Sequence, residues 1–226
     1  MRLLLARHGR TAWNAERRYQ GQRDVPLNRE GRLQADALAQ RLSDEPIDVI
    51  YASDLRRAWD TAAAIAALQG LPVRPEPRLR EIDFGDWEGL TTDEIEQASP
   101  GVIMAWRDDP RQAPPPGGEN IDQVTGRVRA AVADIAAGHQ DETVLVVAHG
   151  GVLRVLLCLA LDLPPDAFWR FRFGQASLSQ VNVYDSGSTL SMLNETAHLR
   201  PKPLTDGPSA RESGRNTDTS TTSQRA

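Results

Sequence analysis

Apolar residues in this chain fall into two kinds of pattern. Nearly continuous runs occur at Leu3 to Ala6, Ile47 to Tyr51 and Thr143 to Ala148, as expected for strands covered on both faces. Between them apolar residues are spaced out: Leu33, Leu38 and Leu42 follow Asn28, and Leu55, Ala58, Ala62 and Ile65 follow Ser53. Each set predicts a helix, with Asn28 and Ser53 as its N-cap. Ile121, Val124, Val128, Val132 and Ile135 recur at steps of three and four, which is one face of a helix. Strands alternating with helices predict an α/β fold, a three-layer α/β/α sandwich with a largely parallel sheet.

Farther along, Leu178 to Tyr184 alternates in polarity, and Ser186-Gly187-Ser188 separates it from Leu190 to Leu193. That predicts a hairpin at the sheet edge. The stretch from Leu90 to Asn120 has no clear period and contains Pro114-Pro115-Pro116-Gly117-Gly118, so it is expected to be an irregular lid over a site. One domain over residues 1–199 is expected. From Arg200 onward proline, serine, threonine and charge replace apolar residues, which predicts a disordered polar tail over 200–226.

Charge and composition narrow the function. With 26 basic and 31 acidic residues the net charge is -5, so no general basic surface exists to bind nucleic acid. No apolar run approaches a membrane span, and Leu3-Leu4-Leu5 is too short for a signal-peptide core, so a cytoplasmic protein is expected. The single cysteine, Cys158, lies in an apolar run and reads as a buried thiol. The single lysine, Lys202, lies in the polar tail. A Walker-type phosphate loop and a Schiff-base enzyme are thereby excluded.

The chemistry-bearing residues sit at strand ends. His8 follows the first strand and precedes Gly9; His149 follows the Thr143–Ala148 strand and precedes Gly150-Gly151. In an open α/β sheet the carboxyl ends of the strands border one crevice, where two such histidines can converge. Glycines beside them let an anion approach the backbone amides. Arg7 adjoins His8, and Arg56-Arg57 fall in the first turn after Ser53, where a guanidinium fork suits phosphate oxygens. From these observations alone either arginine of the pair qualifies, and Glu81 is not separable from its acidic neighbours. Trp13 and Trp87 are candidates for the wall of a leaving-group pocket, with packing over the core as the alternative. Trp59, Trp106 and Trp169 read as structural or lid residues, and His139 and His198 as surface histidines.

The segments RHGRTAWN, YQGQRDVPLNREGRLQA, SDLRRAWDTA, RLREIDFGDWEG, PGGEN and VVAHGG occur in this order. Together they resemble the histidine phosphatase, or phosphoglycerate mutase-like, superfamily, and within it the bacterial broad-specificity phosphatases. The resemblance runs from Leu3 to about Leu199. It implies His8 as nucleophile, Arg7 and Arg57 as phosphate-binding arginines, Glu81 as acid and base, and His149 as the second histidine. Asn14, Gln20, Gly21 and Gly150 match positions that line the phosphate pocket. Two departures stand out: Arg10 replaces a usual glutamate or glutamine, and Asp60 a usual glutamine or histidine.

What the resemblance implies is a metal-independent phosphomonoesterase of the histidine acid phosphatase type, with no cofactor, acting on a small phosphorylated substrate through a phosphohistidine. The alternatives are a cofactor-dependent phosphoglycerate mutase, an alpha-ribazole phosphatase, and a non-catalytic phospho-ligand binding module. Mutases of the family carry a longer lid with paired arginines, whereas Leu90 to Asn120 offers only Arg107 and Arg111. The oligomeric state is open, a homodimer included.

Overall fold

The computed structural model describes residues 1–200, so the tail expected beyond Arg200 lies outside the described residues. Its centre is a six-stranded sheet. Four strands run parallel: β1 (Arg2–Arg7), β2 (Val49–Ala52), β3 (Val73–Pro75) and β4 (Thr143–Ala148). The hairpin of β5 (Leu178–Tyr184) and β6 (Gly187–Glu195) adds antiparallel to β1, giving the order β3-β2-β4-β1-β5-β6.

The period-two alternation of side chains along each strand builds two cores. Leu3, Leu5, Val144 and Val146 face Val124, Val128, Val152 and Leu156 of helices α6 (Ile121–Gly138) and α7 (Gly150–Ala160). Leu4, Ala6, Leu145 and Val147 face Leu38, Leu42, Ala62 and Ile65, contributed by α2 (Arg29–Arg41), the residue after it, and α3 (Arg56–Gln69). Each fully buried aliphatic side chain contributes roughly 1.5–3 kcal/mol. Both faces of β1 and β4 are therefore dry, and this is why their sequences read as unbroken apolar runs.

Several elements depart from the sequence reading. The edge strand β3 was not predicted: with Arg74 and Pro75 it has no apolar run, and a proline without an N–H is tolerated only at such an edge. Asn28 does cap α2, accepting from Gly31 N at 2.7 Å. Ser53 does not cap α3: Leu55 holds the N-cap position without a side-chain bond, and Asp24 Oδ1 accepts from Arg56 N at 2.7 Å. A carboxylate brought in by the fold thus satisfies an amide expected to be satisfied locally, which frees Ser53 for the site.

The stretch from Leu90 to Asn120 is not wholly irregular. A Thr91–Glu94 capping box starts helix α4 (Thr92–Ala98), and α5 (Val102–Asp108) follows. The expected surface histidines are also held in place. His139 contacts Tyr51 and Glu142, and His198 Nε2–H donates to Ala176 O at 2.9 Å. Cys158 is buried as expected, and burial pushes its thiol up to about 11. Among the described residues no helix is long and apolar enough to cross a membrane.

Candidate active site

Sheet register brings the two histidines together. Arg7 pairs with Ala148 in the parallel β1–β4 ladder, so the next residues, His8 and His149, leave the sheet side by side. His8 N donates to Ala148 O at 3.0 Å, and the ring centroids lie 5.1 Å apart. Both rings are buried.

Hydrogen bonds fix both tautomers. Gly9 O can only accept, so the 2.7 Å contact to His8 Nδ1 puts the proton on Nδ1 and the lone pair on Nε2. Arg57 Nε can only donate, and it lies 3.2 Å from His149 Nδ1. The His149 proton therefore sits on Nε2, which donates to Ser53 Oγ at 2.8 Å. Burial, then Arg57 and further neighbouring cations, holds both imidazoles well below their ordinary 6.5.

Arginines line the same space. Arg7 donates to Phe173 O at 2.6 Å, but its buried Nε has no partner. Arg57 is fully buried and also donates to the carbonyls of Arg23 and Gly21, both at 2.7 Å, whereas Arg56 is exposed. Burial pulls both Arg7 and Arg57 down to about 10, with Glu81 opposing, so both remain cationic at neutral pH.

Glu81 sits at the start of α7. Its carboxylate accepts from the amides of Ile82, Gly151 and Val152 at 3.0–3.2 Å. Helix N-termini attract anions. The two glycines make the approach possible. A Cβ on Gly151 would lie 2.5 Å from Glu81 Oε1, and one on Gly150 would lie 3.2 Å from the Arg7 guanidinium carbon.

The remaining predicted residues lie in supporting positions. Asn14 spends its Oδ1 on the capping box with Thr11, at the start of α1 (Ala12–Ala15). Gln20 is buried and accepts from Thr11 Oγ1 at 2.9 Å. Gly21, at φ +50, orients Arg57 through its carbonyl, and a side chain there would collide with Glu88. Arg10 pairs with exposed Glu30.

Beside Arg7, Glu81 and Gly150 opens a cavity of about 200 Å³. Trp13 and Trp87 are not among its lining residues; Trp87 is instead packed in the core, edge-on to Tyr19 and Trp106. The walls come from Tyr19, Phe84, Trp106, Phe168 and Trp169, together with Arg107 and Arg154. Arg111 is drawn away, bonding Asp122 at 3.0 Å. Sequence reasoning missed Arg154 and Arg127. Arg154 lies one turn beyond Gly150, a spacing that could have flagged it. Arg127 ties down the acidic segment, donating to the carbonyls of Arg78, Arg80 and Glu81 and pairing with Glu119. Among the described residues no group of three or more His, Cys, Asp or Glu is placed to hold a metal ion.

Comparison with known proteins agrees with this architecture. Residues 3–196 match the model of the histidine phosphatase superfamily (branch 1). Phosphoserine phosphatase 1 of Hydrogenobacter thermophilus is 36% identical over 199 residues, covering 88% of this chain and 94% of that protein. Glucosyl-3-phosphoglycerate phosphatase of Mycolicibacterium vanbaalenii is 42% identical over 189 residues, covering 80% and 83%. Among solved structures, a mycobacterial glucosyl-3-phosphoglycerate phosphatase in complex with VO3 superposes with a TM-score of 0.81 at 40% identity, covering 86% of this chain and 99% of that one. The alpha-ribazole phosphatase from Shigella flexneri gives 0.80 at 33% identity, covering 86% and 96%. On these matches, and on a sheet that delivers two histidines to one cationic crevice, the chain belongs to the histidine phosphatase superfamily, branch 1.

Proposed function

We propose that the chain hydrolyses small phosphomonoesters through a covalent phosphohistidine at His8. Phosphomonoesterase chemistry is that of the family and of its phosphatase-named relatives. The observation that carries the residue assignment is the locked tautomer of His8, which leaves the lone pair on Nε2 in a ring that feels the charges of Arg57 and Arg7. A nucleophile needs that lone pair at neutral pH, and burial, reinforced by Arg57 and Arg7, keeps the ring uncharged.

In the first half-reaction His8 Nε2 attacks phosphorus and the ester P–O bond breaks. The departing alkoxide takes a proton from the Glu81 carboxyl group. In the second, Glu81 as carboxylate removes a proton from water as the water oxygen attacks phospho-His8. Inorganic phosphate leaves and the His8 lone pair is restored. One carboxyl group thus serves as acid and then base. Arg7 and Arg57 stabilise charge on the transferred oxygens, the main requirement of phosphoryl transfer, and His149 orients the Arg57 guanidinium by accepting its Nε–H. Asn14, through its amide nitrogen, and the Gly150 backbone border the transferred phosphate, while Gln20 and Gly21 act by holding Thr11 and Arg57.

The segment 90–120 is proposed to cover the site, with Trp106 as its anchor in the aromatic cluster. Water rather than a second substrate hydroxyl is the acceptor. In support, Arg111 is engaged by Asp122, so Arg107 alone of the two segment arginines reaches the cavity. The relatives are named for phosphoserine, glucosyl-3-phosphoglycerate and alpha-ribazole phosphate, so the class of substrate proposed is a small phosphorylated metabolite. The cytoplasm, where such metabolites are made and consumed, is the proposed setting. The purified protein should release inorganic phosphate from p-nitrophenyl phosphate with or without a chelator. Interconversion of 2- and 3-phosphoglycerate without phosphate release would instead make it a mutase, and inertness toward every phosphomonoester a binding module.

A further inference from the structure

The guanidinium of Arg127, on α6, has every donor engaged. Its Nε and Nη2 donate to the two oxygens of Glu119, both at 2.8 Å, and Nη2 donates again to Glu81 O at 3.0 Å. Nη1 serves Arg78 O and Arg80 O at 2.7 and 2.6 Å. An arginine carries five N–H donors in a fixed fork, and here all five are met. The acceptors converge on one short stretch of chain. The carbonyls of Arg80 and Glu81 belong to backbone outside any strand or helix, so no ladder satisfies them. Glu119 binds the same stretch a little farther on: its Oε2 accepts from Asp83 N at 2.9 Å, and its own N–H donates to Asp83 O at 2.9 Å. Gly118 permits that approach, since a Cβ there would lie 2.4 Å from Asp83 O.

Glu81 is thereby held at both ends. Its carboxylate rests on amides at the start of α7, and its carbonyl is fixed by Arg127 of α6, with Gln22 adding only a longer bond at 3.4 Å. The place of the carboxyl group is set by two packed helices rather than by the loop that carries it. We propose that Arg127 is a positioning residue for the acid–base steps: its fork, completed by Glu119, holds the Glu81 backbone so that the carboxyl group meets first the leaving oxygen and then the attacking water. The proposal rests on the phosphatase reading above, in which Glu81 serves both half-reactions. Neither Arg127 nor Glu119 lines the cavity, so their effect passes through Glu81. An alkoxide needs a proton as it departs, whereas p-nitrophenolate leaves without one. Phosphorylation of His8 by alkyl esters therefore depends on the clamp, and phosphorylation by the aryl ester does not.

The test measures kcat/KM, which reports the steps up to phospho-His8, for phosphoserine, glycerol 3-phosphate and p-nitrophenyl phosphate. Arg127→Gln should lower it by about 10- to 100-fold for the two alkyl esters, as expected when a catalytic group is displaced by about 1 Å, and by no more than about three-fold for the aryl ester. A residue that only supported the fold would lower all three by one factor, through the fraction of active protein. In a Glu81→Gln background the Arg127 substitution should change nothing further, because the group it positions is gone. Arg127→Lys keeps the charge without the fork and should stay close to the glutamine variant; full activity in it overturns the clamp. Glu119→Gln, which weakens one arm of the clamp, should show a selective loss of a few-fold, and it carries the test if the Arg127 variants fail to fold. Equal losses with all three esters, no loss with the alkyl pair, or effects of Glu81→Gln and Arg127→Gln that multiply overturn the clamp and leave the phosphatase standing. Hydrolysis of the aryl ester alone by the unaltered protein leaves no acid to position and overturns it as well. Failure with all three esters overturns the phosphatase reading itself.

Discussion

Arg57 donates its Nε–H to His149 Nδ1 at 3.2 Å, and Ser53 accepts from the opposite nitrogen of the same ring. A permanent donor on one side and a hydroxyl on the other leave a single neutral form for the imidazole. Its neighbour His8 is locked in the complementary sense, by the Gly9 carbonyl. The pair therefore waits for phosphate with no proton on His8 Nε2.

Acid stability follows from these two rings. In the unfolded chain both bind protons below about 6.5, whereas in the folded protein burial and the arginines hold them neutral to much lower pH. Above that value they cost the fold nothing. As pH falls through it the unfolded state binds more protons, and stability drops by up to about 1.4 kcal/mol per pH unit for each ring. Urea midpoints between pH 7 and 5 should show the fall, and the double variant His8→Gln, His149→Gln should flatten it. The same slope in both proteins would contradict the neutral-pair account.

Gly151→Ala strikes both the carboxylate and the core beside it. The added methyl would lie 2.5 Å from Glu81 Oε1 and 2.7 Å from Cδ1 of buried Ile82, so both side chains must move. Alanine is the better helix former by about 1 kcal/mol, which offsets part of the cost at Ile82. The variant should lose stability and about 100-fold in kcat. Unchanged kcat would remove Glu81 from the reaction.

Ser53→Ala deletes the acceptor of the His149 Nε2–H. Leaving that buried donor unmade costs about 1–3 kcal/mol, while Arg57 still holds the tautomer. Nitrogen-15 spectra should show a protonated Nε2 in parent and variant alike, with lower stability in the variant. Ser53→Thr, which keeps the hydroxyl, should restore the stability. A proton moved to Nδ1 in Ser53→Ala would contradict the Arg57 lock.

Much of this arrangement was legible in the chain. β4 was readable as an apolar run because α-helices cover both its faces, and His8 and His149 were readable as strand-end residues followed by glycine. The rest depends on contacts between distant segments. Ser53 looks like a cap until Asp24, from another loop, takes the amide it would have served. Trp106 and Trp169 line the cavity, rather than Trp13 and Trp87, because the turn before Phe171 packs on α7 and Trp106 of α5 packs on that turn. Arg127 is a surface-like charge on a helix until the carbonyls of three residues converge on it. Periodicity records which face of an element is dry; it does not record which other element dries it.

The central claim is that His8 carries the phosphoryl group between the two half-reactions. Glu81→Gln should still be phosphorylated by p-nitrophenyl phosphate, whose leaving group needs no acid, but should lack the base that admits water. Alkaline quenching followed by mass measurement of the whole chain and its peptides should find one added phosphoryl group on His8, and none when His8→Ala is combined with it. A phosphoryl group on any other residue, or turnover by His8→Ala alone, would contradict the account.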